Sequence, residues 1–335
     1  MSILQLEEFK TPTLMGFVEN LKAPFEEKTL KFLPRGKESY STNFAYDIVT
    51  RAKSTVAQIL EFGGPSPLRD KGSIETKTAE ISKIAHKYMF DQKDQLTLLN
   101  TKFDKEKQQI VDRALQDVAT LTEGVYKAEE YMRASVLYKG RLEYNLNGVI
   151  LDIGFNIPDE NKVVLSGTAR WNDYANANPL QDLIRYHALF KKKNVNRSAV
   201  EIHMSWDVFW DIINCKTTVA AIKGNAGGTI APEEINLYLA RFGVPPIVIQ
   251  DETVEFENAT EETRLLPVNR VAFLGIQGIA LGNTVEGPTV EKKGVPGIYS
   301  RTWGDSNTLD EYVEVGKAVF PELTYPSGIL HIDVK

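Results

Sequence analysis

The chain has 335 residues, of which 42% are hydrophobic and 25% are charged, with a formal net charge of −6. These values are typical of a soluble globular protein of about two domains. A single cysteine excludes an intramolecular disulfide. The absence of a dense basic cluster argues against tight non-specific binding of nucleic acid. No apolar run reaches the ~20 residues that span a bilayer.

Residues 1–43 are predicted to form an extended, irregular N-terminal arm. Their start has no basic segment followed by an apolar one, so we expect a cytosolic protein. Prolines and glycines recur without a long periodic face, yet the segment is too apolar for a solvated tail. We expect the arm to bind another copy of the chain, and a chain without residues 1–35 to fold but not to assemble. The candidate contact residues are Phe17, Leu21, Phe25 and Phe32.

Residues 44–90 are predicted to form a long two-stranded excursion. Two β segments, 44–62 and 73–89, flank a stretch that glycine, proline and polar residues interrupt. Because an isolated hairpin is marginal in water, we expect a neighbouring copy to support it. The candidate contact residues at its tip are Gly63, Gly64, Pro65, Arg69, Lys71 and Gly72.

A long amphipathic helix is predicted over residues 104–138, where apolar residues recur every three or four positions. Gly140 is expected to end this helix, and Gly124 to mark a bend in it. A hairpin is predicted next, because Asn147-Gly148 separates two alternating segments and this dipeptide is a strong hairpin signal.

From residue 178 the pattern changes to alternating helices and strands, which predicts a compact α/β unit. Asn178 and Pro179 are expected to begin a helix that ends near Lys191–Lys193, in agreement with the helix dipole. The further predicted elements are a strand at 199–204, a helix from 205, a helix at 232–243 and strands at 247–249 and 271–274. The alternating segment at 328–334 is expected to join a sheet formed earlier in the chain.

The sequence gives no catalytic, cofactor-binding or metal-binding site. The four histidines lack zinc-site spacing, and Gly224–Gly228 lacks the lysine and preceding strand of a phosphate-binding loop. Cys215 is interpreted as a small buried hydrophobe. Trp171 and the other three tryptophans are interpreted as anchors of a core or an interface.

Four segments carry a resemblance to a known family. They are Val136–Gly140 at the end of the long helix, Val149–Gly154 in the following hairpin, Gly167–Asp173 around Trp171, and Asn178–Leu183 at the helix start. In these segments the chain resembles the lambda-type family of major capsid protein E, whose members have the Hong Kong 97-type fold.

The resemblance implies an α+β fold with an N-terminal arm, an extended β-hairpin loop, a long spine helix with a peripheral β-sheet, and an α/β axial domain. Carried onto this chain, the parts are the arm at 1–43, the extended loop at 44–90, the peripheral domain at 91–177 and 291–335 with its spine helix at about 104–138, and the axial domain at 178–290.

The function implied is a major capsid protein that self-assembles into hexamers and pentamers of an icosahedral shell enclosing double-stranded DNA. The partners implied are further copies of the chain, a separate scaffolding protein, a portal, a decoration protein and DNA bound without sequence specificity, with no membrane and no cofactor. The location implied is the virion, after assembly in the bacterial cytoplasm. The alternatives are a nanocompartment or gene-transfer-particle shell of the same fold and, remotely, an α/β enzyme with an unrecognised site at Gly224–Gly228.

Overall fold

The computed structural model describes residue 4 and residues 6–49, 74–100, 104–146, 149–224, 227–256 and 261–335. The described helices are α1 Thr11–Asn20, α2 Gln92–Asn100, α3 Asp104–Ala134, α4 Pro179–Lys193, α5 Trp206–Asn214, α6 Lys216–Lys223 and α7 Pro232–Ala240. The described strands are β1 Arg35–Glu38, β2 Asn43–Val49, β3 Ile74–Glu80, β4 Ser82–Phe90, β5 Arg141–Leu146, β6 Val149–Gly154, β7 Lys162–Val164, β8 Glu201–Met204, β9 Ile247–Ile249, β10 Thr253–Val254, β11 Thr263–Arg264, β12 Arg270–Leu274, β13 Gly282–Gly287, β14 Tyr299–Gly304, β15 Glu311–Leu323 and β16 Ile329–Asp333.

One sheet is organised around β15, its longest strand. β4 pairs antiparallel with β15 along one side, while β14 and then β13 pair with the other side. β1 extends this sheet by pairing parallel with β13. Almost all of β15 is buried, because strands cover both of its edges and α3 covers a face. The sequence did not predict this strand.

The predicted long helix is confirmed as α3, which crosses the sheet and contacts β15 and β4. It continues into a π-helical turn, Ser135–Lys139, and ends at Gly140, whose φ of 69° is the left-handed conformation typical of a helix terminus. α3 runs through Gly124 without interruption. A Cβ there would lie 2.7 Å from Nδ1 of His86 on β4, so this glycine permits the close approach of helix and strand.

A second sheet has the order β7-β16-β12-β8-β9 and forms the core of the predicted α/β unit. The predicted helix start is confirmed, since the Asn178 side chain accepts a hydrogen bond from the Gln181 amide and Pro179 is the first helical residue. The C-terminal strand β16 inserts between β12 and β7. The C-terminal strand therefore belongs to this sheet. The resemblance assigns residues 291–335 to the peripheral domain, and that domain division stays a prediction.

The expectation of an irregular segment at the N-terminus is wrong for residues 11–20, which form α1. Pro12 occupies the first turn, where a missing amide proton costs no hydrogen bond. Leu14 and Val18 are four positions apart, so they share one face, and both are fully buried. The proline and glycine content concealed this short apolar repeat.

The predicted excursion is described in part. β2 and β3 pair antiparallel from Asn43 with Glu80 to Val49 with Ile74. Residues 50–73, which include the rest of the first predicted β segment and the tip, lie outside the described residues. The second β segment divides at Ile81 into β3 and β4, and β4 leaves the ribbon to join β15.

The predicted hairpin is confirmed by the pairing of β5 with β6, and Asn147-Gly148 lies outside the described residues. Among the described residues, no helix is long and apolar enough to cross a membrane.

We predict that Gly316→Ala destabilises the subunit, because its position in β15 has no room for a side chain. An added Cβ would lie 2.7 Å from the carbonyl oxygen of Ile84 and 2.8 Å from Cβ of Ala85. The expected loss is about 1–3 kcal/mol in free energy of unfolding, measured by urea titration of the unassembled subunit.

Gly304→Ala is the matched control in a strand, because the nearest atom to its added Cβ is the carbonyl oxygen of Asp310 at 3.9 Å. It should change the free energy of unfolding by less than about 1 kcal/mol. Equal effects of the two substitutions would contradict the close packing of β4 against β15.

Candidate functional site

A cluster of buried and half-buried charges, with one buried threonine, joins the N-terminal arm to α3 and to the β15 sheet. We call it the arm cluster, and its members come from the arm, from α3, from β13 and from β15. They are Glu27, Thr29, Arg35, Glu129, Glu130, Arg133, Glu286 and Lys317.

Arg133 is at the centre of the arm cluster and has no exposed surface. Its Nη2 donates to Glu130 Oε2 at 2.8 Å and to Glu27 Oε1 at 2.6 Å, and its Nε donates to Thr29 Oγ1 at 3.1 Å. Its Nη1 donates to Glu129. Glu129 and Glu130 lie four and three positions before Arg133 on α3, so one face of the helix presents all three side chains.

Arg35 and Lys317 complete the neutralisation of Glu129. The Nε of Arg35 donates to Glu129 Oε1 at 2.5 Å, and its other nitrogens bind Glu27. Lys317 Nζ donates to Glu129 Oε2 at 2.9 Å and to Glu286 Oε1 at 2.7 Å. One carboxylate therefore receives hydrogen bonds from three cations on three different elements.

Thr29 fixes the main chain of the arm to α3. Its amide donates to Glu130 Oε1 at 3.1 Å, and its hydroxyl donates to Glu130 Oε2 at 2.7 Å. Thr29 is fully buried and Glu130 nearly so. Because the backbone itself is bound, the arm has one defined position along the helix.

The electrostatics of Glu129 depend on the whole arm cluster. Burial alone would raise the pKa of its carboxyl, but Lys317, Arg133 and Arg35 outweigh burial and lower this pKa to about 2. Burial likewise opposes the charge of Arg35, yet Glu27 and Glu129 raise its pKa above the ordinary value. Glu129 therefore stays ionised across the neutral and mildly acidic range.

Apolar contacts fix the first part of the arm to the same subunit. Phe9, Leu14 and Val18 are fully buried in a cluster with Val313 and Val315 of β15. α1 also contacts β14 and α3. The arm is thus part of the folded subunit along most of its described length.

The predicted contact residues of the arm lie against their own chain. Phe17, Leu21 and Phe25 are half-buried, and Phe32 is 2% exposed. Trp171 has no exposed surface, and its Nε1 donates to Asp182 Oδ2 at 3.2 Å. In this conformation Phe32 and Trp171 belong to the core of the subunit and offer no outer surface to a second copy.

The predicted tip residues cannot be placed. Gly63, Gly64, Pro65, Arg69, Lys71 and Gly72 all lie outside the described residues. Their role as contacts between copies stays a prediction.

The π-helical turn that directly follows α3 is bound to the second sheet. Tyr138 Oη lies 2.8 Å from Nδ1 of His203 on β8, and Nε2 of His331 on β16 lies 2.8 Å from the Leu137 carbonyl oxygen. Arg270 of β12 donates to the carbonyl oxygen of Tyr138 at 3.0 Å. α3 therefore connects the arm cluster and the β15 sheet to the α/β unit.

The two histidines at this junction are buried and bound to neighbouring groups of the same chain. Burial is the main cause that lowers the pKa of His331, to about 4. Burial also lowers the pKa of His203, against the opposing effect of Glu201. Within the described parts of the chain, no group of three or more histidine, cysteine, aspartate or glutamate side chains is placed to hold a metal ion.

Sequence reasoning missed the arm cluster. From the sequence alone, the charged residues at the end of α3 could be interpreted only as part of a solvent-exposed helix face. Their partners in the arm lie about a hundred positions away in the chain. The available signal was Glu129-Glu130 with Arg133, a charged triplet on the face that otherwise carries Val125 and Met132.

Against the expectation from the sequence, the contacts of the arm cluster lead us to predict that a chain without residues 1–35 does not fold. That deletion removes Glu27, Thr29 and Arg35 and leaves Glu129, Glu130 and Arg133 buried with fewer partners. Breaking a buried ionic group by removing one partner costs about 3–5 kcal/mol, so this truncation should unfold the subunit.

We predict that Glu129→Gln lowers the free energy of unfolding by about 3–5 kcal/mol at pH 7, because Arg133 and Lys317 lose a buried counter-charge. The folded pKa of Glu129 is about 2, below its unfolded value of 4.5. Its contribution to stability is therefore complete above pH 4.5 and declines as the pH falls towards 2. Glu129→Gln should flatten this acid dependence, measured by urea unfolding at several pH values.

Glu123→Gln is the matched control, because Glu123 lies on the same helix in a partly exposed pair with Lys127 at 2.7 Å. Such a pair contributes only about 0.3–0.5 kcal/mol. An acid dependence that Glu129→Gln leaves unchanged would contradict the electrostatic account of the arm cluster.

The sequence matches the model of the family described as phage major capsid protein E over residues 10–334. No curated protein matches the chain significantly by sequence. The family match covers the arm, α3 and both sheets, so it extends to every element that meets at the arm cluster.

Solved structures share the fold at low sequence identity. The proposed capsid protein of a prophage in E. coli CFT073 is 14% identical, with a TM-score of 0.66 over 97% of this chain and 99% of that chain. A phage-related protein of Bordetella bronchiseptica RB50 is 14% identical, with a TM-score of 0.55 over 96% of both chains.

A capsid structure of cyanophage P-SCSP1u is 10% identical and has a TM-score of 0.50 over 93% of this chain and 89% of that chain. At these identities the likeness shows the fold, which is the predicted α+β fold of Hong Kong 97 type. The match of the family model over nearly the whole length carries the assignment: the chain belongs to the phage major capsid protein E family, a family of shell-forming structural proteins.

Proposed function

We propose that the chain is the major head protein of a tailed phage or prophage and assembles into hexamers and pentamers of an icosahedral shell around packaged double-stranded DNA. The observation that carries the proposal is the family match over residues 10–334. A shell of this kind gains its stability from many repeated contacts between identical subunits and not from one strong site.

The construction of the subunit supports this role. α3 contacts the β15 sheet along its course, and the turn that follows α3 contacts the second sheet through Tyr138 and His203. A subunit that transmits force between its neighbours needs its two halves joined by a stiff element. The arm cluster adds a third connection in the last turns of α3.

We also propose the partners and location that the resemblance implies. The partners are further copies of the chain, a scaffolding protein on a separate chain, a portal and a decoration protein. The DNA would be enclosed without sequence-specific contact, as suits a chain with a net charge of −6. Assembly would take place in the bacterial cytoplasm and the product would be the virion capsid.

We predict that the chain, expressed with the scaffold encoded beside its gene, sediments as megadalton particles, because each subunit joins several neighbours at once. Negative-stain microscopy should show closed shells, or tubes and rings of five or six subunits when the scaffold is omitted. Small discrete oligomers under both conditions would overturn the proposal.

The contents of the particles separate a phage head from a nanocompartment of the same fold. Particles isolated from the phage-producing host should protect double-stranded DNA from nuclease. Particles that enclose protein cargo and no DNA would support the nanocompartment instead.

A further inference from the structure

We propose that one subunit meets the next in a ring through two different patches of its α/β unit, which we name the tryptophan patch and the arginine patch. The tryptophan patch consists of Trp206 and Trp210 with Asp207 and Asp251 beside them. The arginine patch consists of Leu237, Arg241 and Phe242. This inference rests on the proposed function and specifies which surfaces of the chain carry it out.

The tryptophan patch leaves unusually large aromatic surfaces exposed. Trp206 and Trp210 are 45% and 52% exposed, and they lie four positions apart on α5. The opposite face of the same helix, with Val208, Phe209 and Ile212, is buried. Tryptophan is one of the residue types enriched at the energetic centres of protein interfaces, so an adjacent exposed pair indicates a contact surface.

The tryptophan patch is held in a fixed position and has a negative rim. The carboxylate of Asp251 accepts from the Trp206 amide at 3.0–3.1 Å, which ties the start of α5 to the end of β9. Arg264 lies 3.5 Å from Asp207 and 3.6 Å from Asp251. Two carboxylates against one guanidinium leave the rim with one net negative charge.

The arginine patch has the complementary character. Leu237 lies in the second half of α7 and Phe242 in the turn after this helix, and they are 62% and 53% exposed. Arg241 lies between them, is exposed, and forms no ion pair with any described residue. An apolar surface with one uncompensated positive charge thus matches an aromatic surface with one excess negative charge.

The helices that carry the two patches are attached to opposite ends of one pair of strands. β8 and β9 are parallel neighbours, with Ile202 opposite Ile247 and Met204 opposite Ile249. α5 begins directly after the carboxyl end of β8, whereas the turn after α7 leads to the amino end of β9. The start of α5 and the end of α7 therefore lie at opposite ends of these strands.

A second copy of the chain is therefore the occupant of each patch. When two different patches of one subunit complement each other, the contact is heterologous, and its repetition closes into a ring if the rotation allows. This is the type of contact that pentamers and hexamers require. Each subunit would offer its tryptophan patch to one neighbour and its arginine patch to the other.

Crosslinking tests the pairing of the two patches directly. Particles would be formed from a chain carrying both Asp207→Cys and Arg241→Cys and treated with a short bismaleimide. We expect a ladder of covalent species up to pentamers and hexamers on a denaturing gel. Either single substitution should give no ladder, since the native Cys215 is buried.

Shells of the double variant whose chains remain monomeric after treatment would overturn this inference and leave the proposed function intact. A wild-type chain that forms no particles would overturn the proposed function, and the inference with it. The two failures are thus distinguishable.

A second variant covers the case in which the cysteines disturb assembly. Trp210→Glu places a charge on the exposed helix face and should keep the melting temperature of the subunit within a few degrees. It should reduce particle yield at least tenfold relative to Val290→Glu, which adds the same charge at a valine that is 91% exposed and outside both patches. Equal particle yields of the two variants would overturn the inference.

Discussion

The neutralisation of Glu129 by Arg133, Arg35 and Lys317 is the interaction on which the rest of the structure depends. It brings together the arm, α3 and β15, three elements that are far apart in sequence. A buried ion pair is weak evidence for net stability, because desolvation offsets much of the attraction. Its effect here is to specify position, since only one placement of the arm satisfies all of these charges and the Thr29 amide together.

The consequence for function is a subunit in which α3 rigidly connects the two sheets. α3 is fixed to the β15 sheet along its course and to the second sheet through the π-helical turn and its contacts with His203 and His331. Shell assembly adds many weak contacts, and each contributes only if the subunit presents it in the right direction. A rigid connection between the two sheets satisfies that requirement.

Sequence reasoning worked where the signal was local. The Asn178 cap, the αL glycine at 140 and the β5–β6 hairpin each depend on residues close in sequence, and the structure confirms them. The resemblance in four short segments identified the family and its fold. Periodicity alone would have predicted only alternating helices and strands.

The remaining features depend on partners distant in the chain. β15 contains Gly316, Lys317 and Pro321, which interrupt a strand pattern, and Lys317 is buried with Glu129 and Glu286 as its distant partners. α1 was missed because Pro12 and Gly16 indicated an irregular segment. The arm cluster was missed because burial of charge is set by tertiary contacts that no local pattern reports.

A cryo-microscopy reconstruction of the assembled particle tests the central claim most directly. The account predicts a closed shell of pentamers and hexamers in which each arm lies on α3 of its own subunit, with Glu27 and Arg35 bound to Arg133 and Glu129. A particle with no five- or six-fold rings, or one in which residues 25–38 lie on a neighbouring subunit, would contradict it.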